Sequence, residues 1–205
     1  MALPIRLLVL PGADARSVRF QLEFAAPSDE GPALCGPARL ETGDGQTLDL
    51  GVLCAPTAVT WRDQRSQELA THTYASPGPY TARLLWGDIT ASATTEPGAP
   101  AEAPVARPEL PLFTVEHLKE RPLQVSVSLR VSGLAPEQRL RVDGGAGQVY
   151  WLSGADGPDQ AAEWALDYSK PGNYTVAADL LDADGFWLAT LAENSLEIAL
   201  PVEEP

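Results

Sequence analysis

The chain contains two short sequence signals twice, in the same order, and this internal repeat constrains its fold more than any other feature. A glycine-rich stretch occurs at residues 43–45 and again at residues 145–147. A Pro-Gly pair followed by Tyr-Thr occurs at residues 77–81 and again at residues 171–175. The spacing between the two signals is eight residues longer in the first copy, which indicates a longer loop there, since surface connections tolerate insertions. The repeat predicts two consecutive copies of one small unit.

The glycine-rich stretch is typical of a β-hairpin loop. Gly43 and Gly45 flank Asp44, and glycine adopts the positive φ that a three-residue loop needs. A two-residue loop would mix polar and apolar residues on each face, because a shift of one residue turns every side chain over. The three-residue loop predicts the pairs Thr42–Gln46, Leu40–Leu48 and Ala38–Leu50 in the first copy, and Val142–Tyr150 and Leu140–Leu152 in the second.

The Pro-Gly pair indicates a second tight turn, in which proline pre-sets φ and glycine takes the positive-φ position. Its residues are Pro77 and Gly78 in the first copy and Pro171 and Gly172 in the second. Alternating apolar residues follow each turn and also occur earlier in each half, which is typical of half-buried strands. These sets are Tyr80, Ala82 and Leu84; Tyr174, Val176 and Ala178; Val18, Phe20, Leu22 and Phe24; and Leu123, Val125, Val127, Leu129 and Val131.

Short alternating strands at regular turn spacing predict a β-sandwich, and 205 residues suit two such domains. Residues 96–111 contain five prolines and are typical of an extended linker that would span roughly 50 Å. We therefore expect an all-β chain of two tandem β-sandwich domains at residues 1–95 and 112–205, joined by a linker at residues 96–111.

The first copy resembles the polycystic kidney disease (PKD) domain, an immunoglobulin-like sandwich. The family carries a Gly-Asp-Gly hairpin and a later His-Thr-Tyr, Pro-Gly, Tyr-Thr run, which match residues 43–45 and 72–81 here. The aromatic residues that usually precede the Gly-Asp-Gly are absent from residues 39–42. The second copy is a diverged sister, with Ala146 in place of the aspartate and residues 166–168 reading Leu-Asp-Tyr.

This resemblance implies a non-catalytic module of the kind found in cell-surface proteins, in secreted enzymes as accessory domains, and in virion proteins. It implies no cofactor. A fold does not by itself determine a function, so the function has to be argued from particular residues.

Charge and hydropathy exclude several classes of partner. The net charge of −14 argues against nucleic acid, because affinity for phosphates depends on Lys and Arg. The apolar run at residues 7–10 is too short for a signal peptide and is interpreted as the first strand. No stretch approaches the roughly 20 apolar residues of a membrane span, so we expect no membrane insertion.

The two cysteines, Cys35 and Cys54, lie on opposite sides of the first hairpin and are candidates for a disulfide. The predicted register sets Cys35 opposite Leu53, one residue out, and a bulge accompanying Pro37 would correct the slip. A bond would point to an oxidising compartment or the exterior of a particle, and two buried free thiols are the alternative.

Few residues suggest catalysis or metal binding. The two histidines fall in different domains; we expect His72 to hydrogen-bond a neighbouring loop and His117 to be exposed. The Asp182 and Asp184 pair is part of a calcium-loop pattern, but a strand-connecting turn explains it better. Asn173 begins a glycosylation sequon inside the second Pro-Gly turn. We predict no catalytic residue, no metal site and no enzyme activity.

Five tryptophans raise the question of a binding surface. Adjacent strand residues point to opposite faces, so if Tyr150 faces the core, Trp151 is exposed or packs on a neighbour. Trp151 is therefore the candidate for a contact with a protein or a sugar. The tryptophans are Trp61, Trp86, Trp151, Trp164 and Trp187.

The leading hypothesis is a structural or decoration protein on a virion surface, binding capsid or tail subunits arranged in a repeated lattice. The start at Met1 without a signal or anchor, the acidic balance and the virus-compatible modules motivate it. The alternative is a cell-surface or secreted adhesion module, with carbohydrate binding as a third class. Self-association of the chain is left open.

Overall fold

The computed structural model describes residues 4–27, 34–97, 106–118 and 121–199. The chain divides into two compact units, Met1–Pro104 and Val105–Pro205, each with its own sheets. Both units are immunoglobulin-like β-sandwiches of a three-stranded and a four-stranded antiparallel sheet, as the alternating apolar segments predict.

In the first unit, the strands are β1 (Ile5–Pro11), β2 (Ser17–Phe24), β3 (Cys35–Glu41), β4 (Thr47–Cys54), β5 (Ser66–Thr73), β6 (Tyr80–Trp86) and β7 (Ile89–Thr95), with a short helix α1 (Trp61–Gln64) before β5. One sheet has the order β1-β2-β5 and the other β4-β3-β6-β7. The chain changes sheet between β2 and β3, and again between β4 and β5 and between β5 and β6. In these strand orders, β4 and β5 are edge strands of their sheets.

The second unit repeats this arrangement. Its strands are β8 (Glu109–His117), β9 (Gln124–Ser132), β10 (Arg139–Asp143), β11 (Val149–Ser153), β12 (Gln160–Asp167), β13 (Gly172–Leu181) and β14 (Trp187–Ile198), with a 3₁₀ turn at Gly154–Asp156. The sheet orders are β12-β9-β8 and β11-β10-β13-β14. The strand β11 thus occupies the position in the second unit that β4 occupies in the first.

The alternating residues form the cores. In the first unit, Phe20 and Leu22 on one sheet and Leu40 and Leu84 on the other are all fully buried. Phe24 of β2 packs edge-on against Trp86 of β6, with 6.1 Å between ring centroids. In the second unit, four buried residues of β9 form one cluster with residues of β10, β12, β13 and β14. The four residues of β9 are Val125, Val127, Leu129 and Val131.

The eight extra residues of the first copy lie in the second strand of the hairpin and in the connection that follows it. The strand β4 has eight residues and β11 has five. The connection after β4 holds helix α1, whereas a shorter 3₁₀ turn follows β11. Trp61 anchors this longer connection, because its buried indole Nε1 donates a hydrogen bond to the Phe24 carbonyl at 2.9 Å.

The expected boundary of the linker needs a correction. The strand β8 begins at Glu109, so the last three residues of the predicted linker, 109–111, are strand. Pro111 is compatible with a strand because β8 lies at the edge of its sheet and its register shifts between Glu109 and Leu112. Residues 98–105 of the predicted linker lie outside the described residues. The predicted extension of the linker therefore stays a prediction.

No helix among the described residues has both the length and the apolar character that crossing a membrane requires.

Candidate functional site

The tip of the first hairpin carries a connected set of three polar side chains, Thr42, Asp44 and His72. The Thr42 hydroxyl donates to Asp44 Oδ1 at 2.5 Å, and His72 Nε2 donates to Asp44 Oδ2 at 2.8 Å. Thr42 is fully buried and His72 is 7% exposed. The prediction that His72 bonds to a neighbouring loop is confirmed, since Asp44 lies in the hairpin loop and His72 lies on β5 of the other sheet. We call these three residues the tip triad.

The tip triad keeps Asp44 ionised. The hydrogen bond from Thr42 is the largest cause that lowers the Asp44 pKa, to about 2, with His72 contributing in the same direction. The order of contacts differs from that of a nucleophilic triad, in which histidine lies between the acid and the hydroxyl. Here the carboxylate lies between the hydroxyl and the histidine, an arrangement that ties the hairpin tip to β5.

A tyrosine next to the tip triad makes the same hydrogen bond in both units. The Tyr74 hydroxyl donates to the Thr42 carbonyl at 2.8 Å, and the Tyr168 hydroxyl donates to the Gly144 carbonyl at 2.9 Å. Burial raises the pKa of both tyrosines to about 12. The first ring stacks on Tyr80, with 3.9 Å between ring centroids. Each unit therefore closes this corner with a neutral, hydrogen-bonded tyrosine.

In the second unit, all three positions of the tip triad have changed together. Gly144 replaces the threonine, Ala146 the aspartate and Leu166 the histidine. Leu166 is fully buried, and a Cβ built on Gly144 would lie 3.0 Å from its side chain. An apolar contact thus occupies the place of the polar triad, while the tyrosine corner is retained.

The first glycine of each hairpin loop is needed for two reasons. Gly43 has a φ of +89° and Gly145 a φ of +74°, a region that L side chains rarely adopt. In addition, a Cβ at Gly43 would lie 2.6 Å from the Thr81 carbonyl oxygen, and one at Gly145 would lie 2.6 Å from that of Thr175. The hairpin tip therefore rests directly on β6 in the first unit and on β13 in the second.

The two Pro-Gly pairs differ in backbone conformation. Gly78, after Pro77, has a φ of +151°, as the turn prediction requires. Gly172, after Pro171, is the first residue of β13 and is not among the positive-φ glycines. The predicted positive-φ role of Gly172 is therefore wrong, because the strand starts immediately after the proline in this unit.

The hairpin register follows the prediction near the loop and departs from it further out. Leu40 pairs with Leu48, and in the second unit Leu140 pairs with Leu152 and Val142 with Tyr150, which confirms these pairs. The predicted pair of Ala38 with Leu50 is wrong, because Ala38 pairs with Gly51. A bulge leaves Leu50 as an extra residue, and Gly51, with φ +72°, accommodates it.

This bulge corrects the register so that Cys35 lies opposite Cys54, and the two form a disulfide. Both cysteines are exposed. The sequence separation across the bond is 19 residues. The bulge predicted beside Pro37 lies instead on the facing strand, since Pro37 itself stays paired with Val52.

The bonded end of this hairpin extends beyond its sheet. The neighbouring strand β6 pairs with β3 only from Ala38 to Glu41, so residues 35–37 are paired with β4 alone. The hairpin of the second unit has no such extension, since its described pairing ends at Arg139 with Ser153. We call residues 35–37 and 52–54 the ribbon.

The tryptophans fall into buried and partly exposed groups. Trp61 and Trp86 are buried, whereas Trp151 is 36% exposed. Tyr150 packs against the core of its unit and stacks on Trp164, with 5.1 Å between ring centroids. Trp151, its neighbour along β11, therefore points away from the core, as the alternation of side chains requires.

The remaining candidates have structural surroundings. His117 is exposed on the edge strand β8. Asp182 accepts the N–H groups of Asp184 and Phe186 at 3.1 and 2.8 Å, which confirms a turn between β13 and β14. Asn173 is exposed at the start of β13. Within residues 4–27, 34–97, 106–118 and 121–199, no three His, Cys, Asp or Glu side chains come together to hold a metal ion.

The burial of two charged side chains in the second unit is not anticipated from the sequence. Arg141 of β10 is fully buried, and its guanidinium donates to Asp143 at 2.6 Å. On the adjacent strand, Asp179 is also fully buried and accepts a hydrogen bond from Thr190 at 2.6 Å. The alternation of charged and apolar residues in β10 is the pattern of a strand with one face in water, so the sequence contains no signal of this burial.

No protein family and no curated protein matches the chain. Among solved structures, the FN1–FN3 domains of chicken CNTN1 align with 93% of this chain and 65% of that chain, at 12% identity and a TM-score of 0.28. Red sea bream transglutaminase aligns with 99% of this chain and 32% of that chain, at 9% identity and a TM-score of 0.30. The chain thus spans less than two thirds of either structure. The fold described above rests on strand order, register and core packing.

Proposed function

We propose that this chain is a non-enzymatic structural protein that binds a repeated protein lattice, as a decoration protein on a virion capsid or tail does. The observation that carries the proposal is the exposure of a large apolar side chain on the same edge strand of each unit, although at different positions along that strand. Val52 on β4 is 70% exposed and Trp151 on β11 is 36% exposed. Both strands end the four-stranded sheet of their unit.

Each of the two side chains points away from the core of its own unit. Val52 pairs with Pro37, which alternates with the buried Ala38, and so points away from the core. Trp151 follows the core-facing Tyr150 and points away from the core as well. One exposed apolar side chain on the edge strand of each unit suits a partner that is itself repeated, because the second contact forms at a high effective concentration once the first has formed.

The motif residues favour a structural role over a catalytic one. Asp44 and His72 are bonded to each other and to Thr42, and the tyrosine corner is present in both units. Of these residues, Asp44, His72 and Tyr74 also belong to the motifs that carry the resemblance to the PKD family. We propose that the first unit is a PKD domain and the second its diverged copy, since the Asp44–His72 contact joins the two family signals.

The test is co-sedimentation of the purified full chain with assembled shell or tube proteins encoded beside its gene. We expect saturable binding, and we expect Val52→Asp to weaken it at least about tenfold, as loss of a central apolar contact does. Thr90→Asp is the matched control, because Thr90 is exposed on β7 at the other edge of the same sheet. A monomer with no affinity for any of these assemblies would rule the proposal out.

A second candidate is an extracellular adhesion module that binds carbohydrate, which the partial exposure of Trp151 favours. An exposed indole can stack on a sugar ring. A glycan array tests this function: signal that is lost with Trp151→Ala but kept with Val52→Asp would favour sugar binding. Equal glycan signal from the wild type and Trp151→Ala would exclude this use of the indole.

A further inference from the structure

The ribbon is held differently from the rest of the first unit. Residues 35–37 pair with β4 on one side only, and a two-stranded ribbon alone is marginally stable in water. One face of the ribbon packs on the unit: Leu53 is 3% exposed, and a Cβ built on Gly36 would lie 3.5 Å from the Trp86 indole nitrogen. The disulfide adds the only covalent cross-link between its two strands.

The disulfide lies on the other face of the ribbon, in contact with solvent. Cys35 and Cys54 are both exposed, and so are Pro37 and Val52 beside them. A reductant can therefore reach the sulfur atoms without unfolding of the core. Exposed disulfides are in general the more readily exchanged ones, whereas buried structural bonds resist reduction.

We propose that the Cys35–Cys54 bond is a site of reversible thiol–disulfide exchange with a soluble dithiol, and that its redox state controls the order of the ribbon. The proposal does not depend on the function proposed above. The second unit has no counterpart of this site, because it contains no cysteine and its hairpin has no such extension. It therefore provides an internal control within the same chain.

The exchange balances in two steps. A thiolate of the dithiol attacks one sulfur, forms a mixed disulfide and releases the other cysteine as a thiolate, which takes up a proton. The second thiol of the reductant then attacks the mixed disulfide, closes its own disulfide and releases the second cysteine. Two electrons and two protons pass to the protein, and an oxidised dithiol of the same class reverses the reaction.

The experiment treats the folded full chain with dithiothreitol, without denaturant, and then with iodoacetamide. We expect two added alkyl groups by mass spectrometry while circular dichroism still reports folded sheets. In a parallel sample reduced but not alkylated, amide hydrogen exchange should accelerate at least about tenfold at residues 35, 36 and 52–54, because only backbone bonds and one packed face then hold the ribbon. Exchange in β10 and β11 should not change.

A Cys35→Ser/Cys54→Ser variant provides the matched control. It should show the fast ribbon exchange without any reductant and should not respond to dithiothreitol. Two results would overturn the proposal in the wild type itself. One is reduction that occurs only at denaturant concentrations that unfold the unit, and the other is complete reduction without any change of ribbon exchange.

Discussion

Three side chains of the first unit have changed together in the second, and the change shows how one backbone corner can be closed in two ways. Thr42, Asp44 and His72 form a hydrogen-bonded triad. The equivalent residues of the second unit are Gly144, Ala146 and Leu166, and there the Leu166 side chain packs against Gly144. Replacing only one of the three residues would leave a buried polar atom without a partner. That loss destabilises the fold more than the replacement of all three residues does. The first unit should therefore depend on pH through this corner, and the second should not.

Replacing Asp44 with Asn should lower the unfolding free energy of the first unit by about 1–2 kcal/mol at pH 6, because the amide keeps the shape but loses the charge-assisted bonds. The pKa of Asp44 in the folded protein, about 2, lies below its ordinary value of 3.8. The stabilisation is therefore fully present above about pH 4 and is lost as the pH falls from 4 to 2. Urea unfolding of wild type and variant at several pH values measures the difference.

The control for this series is Glu68→Gln, which removes the same charge from an exposed position on β5. It should leave the stability within about 0.5 kcal/mol of wild type throughout. The difference between wild type and Asp44→Asn should shrink toward zero at pH 2. A difference that stays constant from pH 6 to pH 2 would show that the carboxylate charge is not what stabilises the corner.

At the scale of the element, sequence patterns predict what depends on local alternation and miss what depends on neighbours. The register close to the hairpin loop follows from the pairing of Leu40 with Leu48. The bulge at Leu50 does not, because Gly51 could equally have been an ordinary weak point in a strand. The strand around Pro111 escapes prediction for a similar reason, since only the edge position of β8 makes a proline there acceptable.

Substitution of the two glycines in the first hairpin loop distinguishes the effect of backbone strain on stability from the effect of a steric clash. Gly45→Ala should cost about 1–2 kcal/mol, because its φ of +92° is unfavourable but nothing lies within 4 Å of the new Cβ. Gly43→Ala should cost roughly 1–3 kcal/mol more, since its Cβ would lie 2.6 Å from the Thr81 carbonyl oxygen. Chemical denaturation of both variants measures the gap, and equal costs would contradict the close approach.

The disulfide should contribute to stability chiefly by restricting the unfolded chain. For a separation of 19 residues, the chain-entropy relation predicts that Cys35→Ser/Cys54→Ser lowers the unfolding free energy by about 3 kcal/mol. Guanidinium unfolding of the oxidised wild type and the variant tests this value. Wild type measured with excess reductant should match the variant. A variant as stable as the oxidised wild type would mean that the ribbon is held by its packing on Trp86.

At the scale of the whole molecule, the repeat predicts two sandwiches and their class, but not which surface of each is used. The partial exposure of Trp151 follows from alternation once Tyr150 is placed in the core. The exposure of Val52 does not, because it depends on the bulge and on the extension of the hairpin past β6. The buried Arg141 is missed because sequence alternation cannot report what covers the second face of a sheet.

Binding through both units predicts a dependence on partner density. If Val52 and Trp151 each contact one subunit of a lattice, dissociation of the full chain from densely immobilised shell or tube protein should be at least about tenfold slower than from a sparse surface. The Val52→Asp variant retains one contact, so its dissociation should be fast at both densities, whereas Thr90→Asp should behave like wild type. Surface plasmon resonance at two immobilisation levels measures this. Dissociation of the wild type at the same rate from both surfaces would mean that a single unit makes the contact, because a second bound unit would have to delay release.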